Sequence, residues 1–232
     1  WLSGMLHDVG RFEQIKRYNT FSDADSVDHA KFGADLLFKD GLISTFLKGM
    51  VKCTGYKPGT LEDRYDSDGV FLYDRLNKSD MEMLELAIRC HNMYRIPQGL
   101  NRREQAFCNV LRDADKVDIF KVNIDTPLEE IYNTTTEELM KSDITDEVLK
   151  AFDEEHCILK AIRRTPADTV IGHVSLAYEL VYDESVRITE EQGYLAKLMH
   201  FHSDNEETNR KMAMVREKMD SYVKKRIGKK DA

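Results

Sequence analysis

The chain has 232 residues, 41% apolar and 33% charged, with a formal charge of −8. That size and balance describe an ordinary soluble globular protein of one or two domains. The acidic balance excludes nucleic acid as the expected partner, because phosphates need a clustered basic surface, and no apolar run approaches the roughly 18 residues of a membrane helix.

The chain opens with Trp1-Leu2-Ser3-Gly4-Met5-Leu6, an apolar run with neither a Met start nor an N-cap. It reads as the middle of a helix ending near Asp8, so upstream sequence is expected to be missing. A second helix is predicted over 26–39, stopped by Gly41 as a C′ residue, and a third over 43–52. Residues 53–78, rich in Gly, Asp and Tyr, form a long connection with a short helix at 70–76 and are a candidate lid. Helices follow at 80–91 and 102–122.

From Thr126 the remainder reads as four or five further helices. N-caps are predicted at Ser79 before Glu82, Thr126 before Glu129, and Thr135 before Glu138. Thr165-Pro166 adds a cap-plus-proline start with Asp168 at the third position. No run alternates with period two, so the expected fold class is all-α. The break at 123–127 divides a core, 1–125, from a C-terminal helical subdomain, 126–232, which packs on the core or supplies a homodimer face. Cys53, Cys90, Cys108 and Cys157 form no CxxC unit. They read as reduced thiols of a cytoplasmic protein.

Four segments carry chemistry: Leu6-His7-Asp8-Val9-Gly10-Arg11-Phe12, Val27-Asp28-His29-Ala30, Arg89-Cys90-His91-Asn92, and Leu111-Arg112-Asp113-Ala114-Asp115-Lys116-Val117-Asp118. Each sets an imidazole or carboxylate at or beside an apolar helical stripe, where a charge is costly unless paired or metal-bound. Mixed nitrogen and oxygen donors suit Mn, Fe, Zn or Mg better than Ca. Asp113 and Asp115 point about 200° apart on a helix. Both lie about 100° from the centre of the stripe Phe107, Val110, Leu111, Ala114, Val117, so periodicity does not choose between them. Asp118 falls within that stripe.

Taken together and in this order, the four segments resemble the HD superfamily of metal-dependent phosphohydrolases. The likeness covers about residues 1–122 and is closest to small bacterial HD-domain proteins over 4–37. It implies an HD-domain helical bundle with additional C-terminal helices. It also implies one or two divalent ions (Mn, Fe, Zn, Co or Mg), with His7, Asp8, His29, His91 and Asp115 as ligands. The family's first His has no counterpart here. The resemblance favours Asp115 over Asp113.

The implied activity is hydrolysis of a phosphate ester, a nucleotide or small phosphorylated metabolite, by water activated on the metal, with Asp8 and Arg11 as catalytic residues. Arg11, Asn92 and Lys116 are the expected substrate contacts, and Phe12, Tyr18 and Tyr94 are candidates to stack on a base. Ligands must be deprotonated, so metal is expected to leave below about pH 6. The chain lacks a double His with GYP and lacks Glu-Asp after the His-Asp pair, which disfavours cyclic dinucleotides and alarmones. Two rival readings stand beside hydrolysis: a di-iron oxygenase on the same scaffold, and a non-catalytic ligand-sensing module. His156, His173, His200 and His202 are expected to stay outside the site.

Overall fold

The computed structural model describes residues 1–46 and 78–228. The expectations for 47–77, including the lid and the helix at 70–76, lie outside the described residues. The described chain is all-α, with no strand among the described residues. No helix in it is long and apolar enough to cross a membrane. By contacts the chain divides into two units, Trp1–Leu111 and Arg112–Ala232. The division falls inside a continuous helix, whereas the sequence reading placed it at 125. Turn signals mark where a helix ends, and not where its packing partners change.

The first unit contains α1 (Leu2–Leu6), α2 (Val9–Tyr18), α3 (His29–Ala34), α4 (Lys78–Cys90) and the start of α5 (Arg102–Asp125). Helix α3 runs on into a π-helical turn, Asp35–Lys39. Gly41 follows in the left-handed region at φ 78°, as expected of a stop residue. A further helical stretch occupies 42–46. Helix α4 is already under way at Lys78, so Ser79 is not its cap.

Helix α2 was not foreseen, because its buried residues are Val9, Gly10 and Gln14, which give no apolar stripe. It ends at Asn19, whose φ of 53° and N–H to the Ile15 carbonyl close the last turn. Asp28 caps α3 by accepting from the Lys31 N–H. Helix α3 packs between α2 and α4, and α1 lies on α4. Their core is Leu6, Val9, Ala34, Leu37, Ile43, Leu84, Ala87, Ile88, Cys108 and Leu111.

The second unit begins within α5 and continues through α6 (Leu128–Tyr132), α7 (Thr136–Lys141), α8 (Asp146–Asp153), α9 (Pro166–Val174), α10 (Asp183–Gln192), α11 (Tyr194–Met199) and α12 (Glu206–Ile227). That is more helices than the four or five expected after Thr126. Both Thr135/Glu138 and Thr165/Asp168 form reciprocal capping boxes. The cap predicted at Thr126 is displaced, since Pro127 takes that position without a side-chain bond. Helix α9 is the centre of the unit, packed by α7, α8 and α11. Its Asp168 is fully buried and accepts from the N–H groups of Thr145, Arg164 and Thr165.

Along α5 the expected stripe is corrected: Val110 and Ala114 are exposed, as is Asp118. The buried face carries Cys108, Leu111, Arg112, Asp113, Lys116 and Phe120 instead. Cys90, Cys108 and Cys157 are buried and in no disulfide among the described residues.

Candidate metal centre

Asp8 sits at the N-cap of α2, in the short link after α1, and His29 is the first residue of α3. These two helices cross at a pair of glycines. A Cβ on Gly10 would stand 2.2 Å from the His29 carbonyl oxygen and 2.8 Å from the Gly33 nitrogen. A Cβ on Gly33 would stand 2.9 Å from the Gly10 nitrogen. Only hydrogen at both positions lets the backbones approach so closely, and that approach carries His29 to Asp8. His91 arrives from the other side of α3, one residue past the end of α4.

The Nε2 atoms of His29 and His91 lie 3.3 Å and 3.5 Å from Asp8 Oδ1. They lie 3.1 Å from each other. His7 Nε2 stands 3.6 Å from Asp8 Oδ2, and the His7 and His91 rings meet edge to face. His29 and His91 are buried, whereas 47% of the Asp8 side chain is exposed, so the group opens to solvent through its carboxylate.

The other ring nitrogens determine the tautomers. His7 Nδ1 is 2.8 Å from the Gly4 carbonyl and His91 Nδ1 is 2.7 Å from the Ile88 carbonyl. A carbonyl only accepts, so each Nδ1 carries the proton and donates it. His29 Nδ1 faces both oxygens of Asp23 at 2.7 and 2.9 Å. In the neutral rings, Nε2 is then a lone pair. Three such lone pairs converge on a carboxylate whose Oδ1 is buried and has no hydrogen-bond partner among the described residues. Burial raises the Asp8 pKa; only when protons stand on the facing nitrogens do His29, His91 and His7 outweigh it and hold the carboxyl well below the usual carboxylate range, as a cation in the same place would. Asp8, His29 and His91 each offer a ligand atom within 4.8 Å of the others. Imidazole lone pairs and a carboxylate with an orphaned buried oxygen at one point make a donor set that fits a divalent cation.

Four expected ligands, His7, Asp8, His29 and His91, therefore come together in the first unit. Asp115 lies on the part of α5 that belongs to the second unit, where it is half-buried. Arg11 is anchored through Nη1, which donates to the Phe21 carbonyl at 2.6 Å, Asp23 at 2.9 Å and Gln14 at 3.0 Å. Its Nη2 has no partner among the described residues. Asn92 donates to Asp28 and Asp23.

Lys116 is buried in the second unit, where burial and then Arg112 push its pKa down. Asp113 is structural there: it accepts from the Val181 and Tyr182 N–H groups at 2.9–3.0 Å. Phe12 is exposed rather than packed, and Tyr18 and Tyr94 are also exposed. His156 pairs with Glu154, and His200 bonds the Ala196 carbonyl.

Asp23 was missed in the sequence. It lies in the loop between α2 and α3, six residues before His29, and no spacing rule ties a loop carboxylate to a helix-start imidazole. No protein-family model, no curated protein and no solved structure matches the chain.

Proposed function

We propose that this protein is a metal-dependent phosphohydrolase of the HD type, cleaving a nucleotide or other small phosphate ester. The observation that carries the reading is the convergence of His29 Nε2, His91 Nε2 and Asp8 Oδ1, with each imidazole's Nδ1 already committed elsewhere. His7 joins them through Asp8 Oδ2. The resemblance to the HD superfamily adds Asp115. These residues would hold a divalent cation, one or two of Mn, Fe, Zn, Co or Mg, which when bound would acidify a water and neutralise phosphate charge.

The protein's own groups divide the rest of the work. Asp8 offers carboxylate oxygens to the same point as the His7, His29 and His91 rings, which the Gly4 and Ile88 carbonyls and Asp23 hold from their far nitrogens. Arg11, held through Nη1, is 28% exposed and presents two N–H donors on Nη2 toward a phosphate oxygen. Asn92, fixed through its amide nitrogen, leaves its amide oxygen open as an acceptor for substrate. Lys116 is a further cation for phosphate on the strength of the resemblance.

Metal analysis of the purified chain, joined to phosphate release from a nucleotide panel with Mn, Fe, Co, Zn and Mg, tests the reading. Asp8→Ala is expected to abolish both bound metal and turnover. Parent-level metal and turnover in Asp8→Ala would refute it. Iron content with oxygen uptake in place of phosphate release would assign an oxygenase instead.

A further inference from the structure

We infer that Asp23 is the positioning residue that fixes the His29 ring, keeping the proton on Nδ1 and the Nε2 lone pair on the Asp8 side. The inference rests on the reading of this cluster as a metal centre. Asp23 is a hub. Its carboxylate receives His29 Nδ1 at 2.7 and 2.9 Å, Arg11 Nη1 at 2.9 Å, Gln14 Nε2 at 3.0 Å and Asn92 Nδ2 at 3.3 Å.

The donors come from both flanks of the loop: Arg11 and Gln14 from α2, His29 from α3, and Asn92 from the turn after α4. Gln14 is fully buried and also donates to Ser26 Oγ and the Val27 carbonyl, so the loop that carries Asp23 is itself pinned. The Arg11 guanidinium matches the Asp23 charge. The Asp23–Arg11 pair is neutral as a whole, so Asp23 serves the ring chiefly as a hydrogen-bond acceptor.

His29 needs this more than its neighbours do. His7 and His91 are locked by backbone carbonyls, which no substitution removes. Without Asp23, the Nε2 of His29 gains by carrying the proton, because Asp8 Oδ1 at 3.3 Å is a ready acceptor. That tautomer blocks the ligand position. Carboxylates that hold the far nitrogen of a metal-binding His raise metal affinity about 10–100-fold.

The test uses the full chain, stripped of metal by chelator, at a pH where histidines are neutral. Long-range proton–nitrogen NMR is expected to give His29 as the single Nδ1–H tautomer in the parent. Asp23→Ala is expected to move the proton wholly or partly to Nε2 and to weaken Zn binding by calorimetry about 10–100-fold. Asp23→Asn, which keeps an oxygen acceptor, is expected to restore the tautomer and most of the affinity. An unchanged tautomer in Asp23→Ala overturns the inference. So does a parent His29 protonated on Nε2, whether or not any variant folds. A parent with the Nδ1–H tautomer that binds none of the metals refutes the metal reading instead, so the two failures are distinguishable.

Discussion

His29 and His91 face each other Nε2 to Nε2 at 3.1 Å, and neither nitrogen carries a proton in the neutral rings. Two lone pairs at hydrogen-bond distance repel unless a cation lies between them and the nearby carboxylate. Packing holds both rings in this approach: His29 opens α3, and His91, 1% exposed, follows the buried end of α4.

A cation that takes both nitrogens and the carboxylate binds only the folded chain, so metal is predicted to stabilise the protein. With free Zn or Mn at about a hundredfold over its Kd, the folded state gains about 2.7 kcal/mol. For a chain of this size that is a rise of roughly 5–10 °C in Tm, reversed by chelator. In His29→Ala and His91→Ala the rise is expected to vanish. A melting curve of the parent unmoved by Mn, Fe, Co, Zn and Mg would remove the basis of the proposal.

The glycine crossing predicts a second effect. In Gly10→Ala the added methyl meets the His29 carbonyl, so α2 must withdraw from α3 and take Asp8 with it. The expected result is a loss of about 1–3 kcal/mol in urea unfolding together with weakened metal binding. Gly4→Ala is the control. Nothing lies within 4 Å of its added Cβ, and an alanine in α1 is expected to be neutral or stabilising by about 0.5–1 kcal/mol.

These two cases also mark how far the sequence was legible. Local signals were read directly. The boxes at Thr135/Glu138 and Thr165/Asp168 depend on residues three apart, and both formed. His7, Asp8, His29 and His91 were picked out as a set by the resemblance to the HD superfamily; singly, each stood only at or beside an apolar helical stripe. Helix α2 was not found, because it buries a glycine and a glutamine, and hydrophobic periodicity does not register either. The face of α5 was misplaced for a related reason. It buries Arg112, Asp113 and Lys116 through specific partners, while Val110 and Ala114 face solvent. Asp23 and the Gly10–Gly33 contact depend on tertiary approach alone.

Asp113 and Asp115, indistinguishable by helical projection, are expected to separate in experiment. Asp113 is 2% exposed and holds the Val181 and Tyr182 amides at the entrance to α10. Asp113→Ala leaves two N–H groups without their acceptor and is expected to cost about 1–3 kcal/mol, read as a lowered urea midpoint. Bound metal per folded chain should stay at the parent level. Asp115→Asn is expected to do the reverse, lowering bound metal with little change in the midpoint. Equal behaviour of the two variants would contradict this division of roles.

A proton-linked prediction concerns His173 in the second unit. Burial, then the charges of Arg163 and Lys160, push its pKa down to about 3. Its Nδ1 has no hydrogen-bond partner among the described residues, and its ring lies 5.6 Å from that of Tyr132. The sign follows from proton binding. The unfolded chain takes up a proton on this ring below its ordinary value near 6.5, and the folded chain does so only near 3. The neutral ring's contribution to stability is therefore complete above about pH 6.5 and is lost as pH falls toward 3. Between those limits its slope is about 1.4 kcal/mol per pH unit, or about 2 kcal/mol by pH 5. Urea midpoints of the parent and of His173→Gln at pH 7 and pH 5 measure the difference. The parent should lose more stability than the variant over that interval. Parallel losses in the two proteins would mean that His173 takes up its proton in the folded state as readily as in the unfolded one, and that its burial does not govern the acid limb.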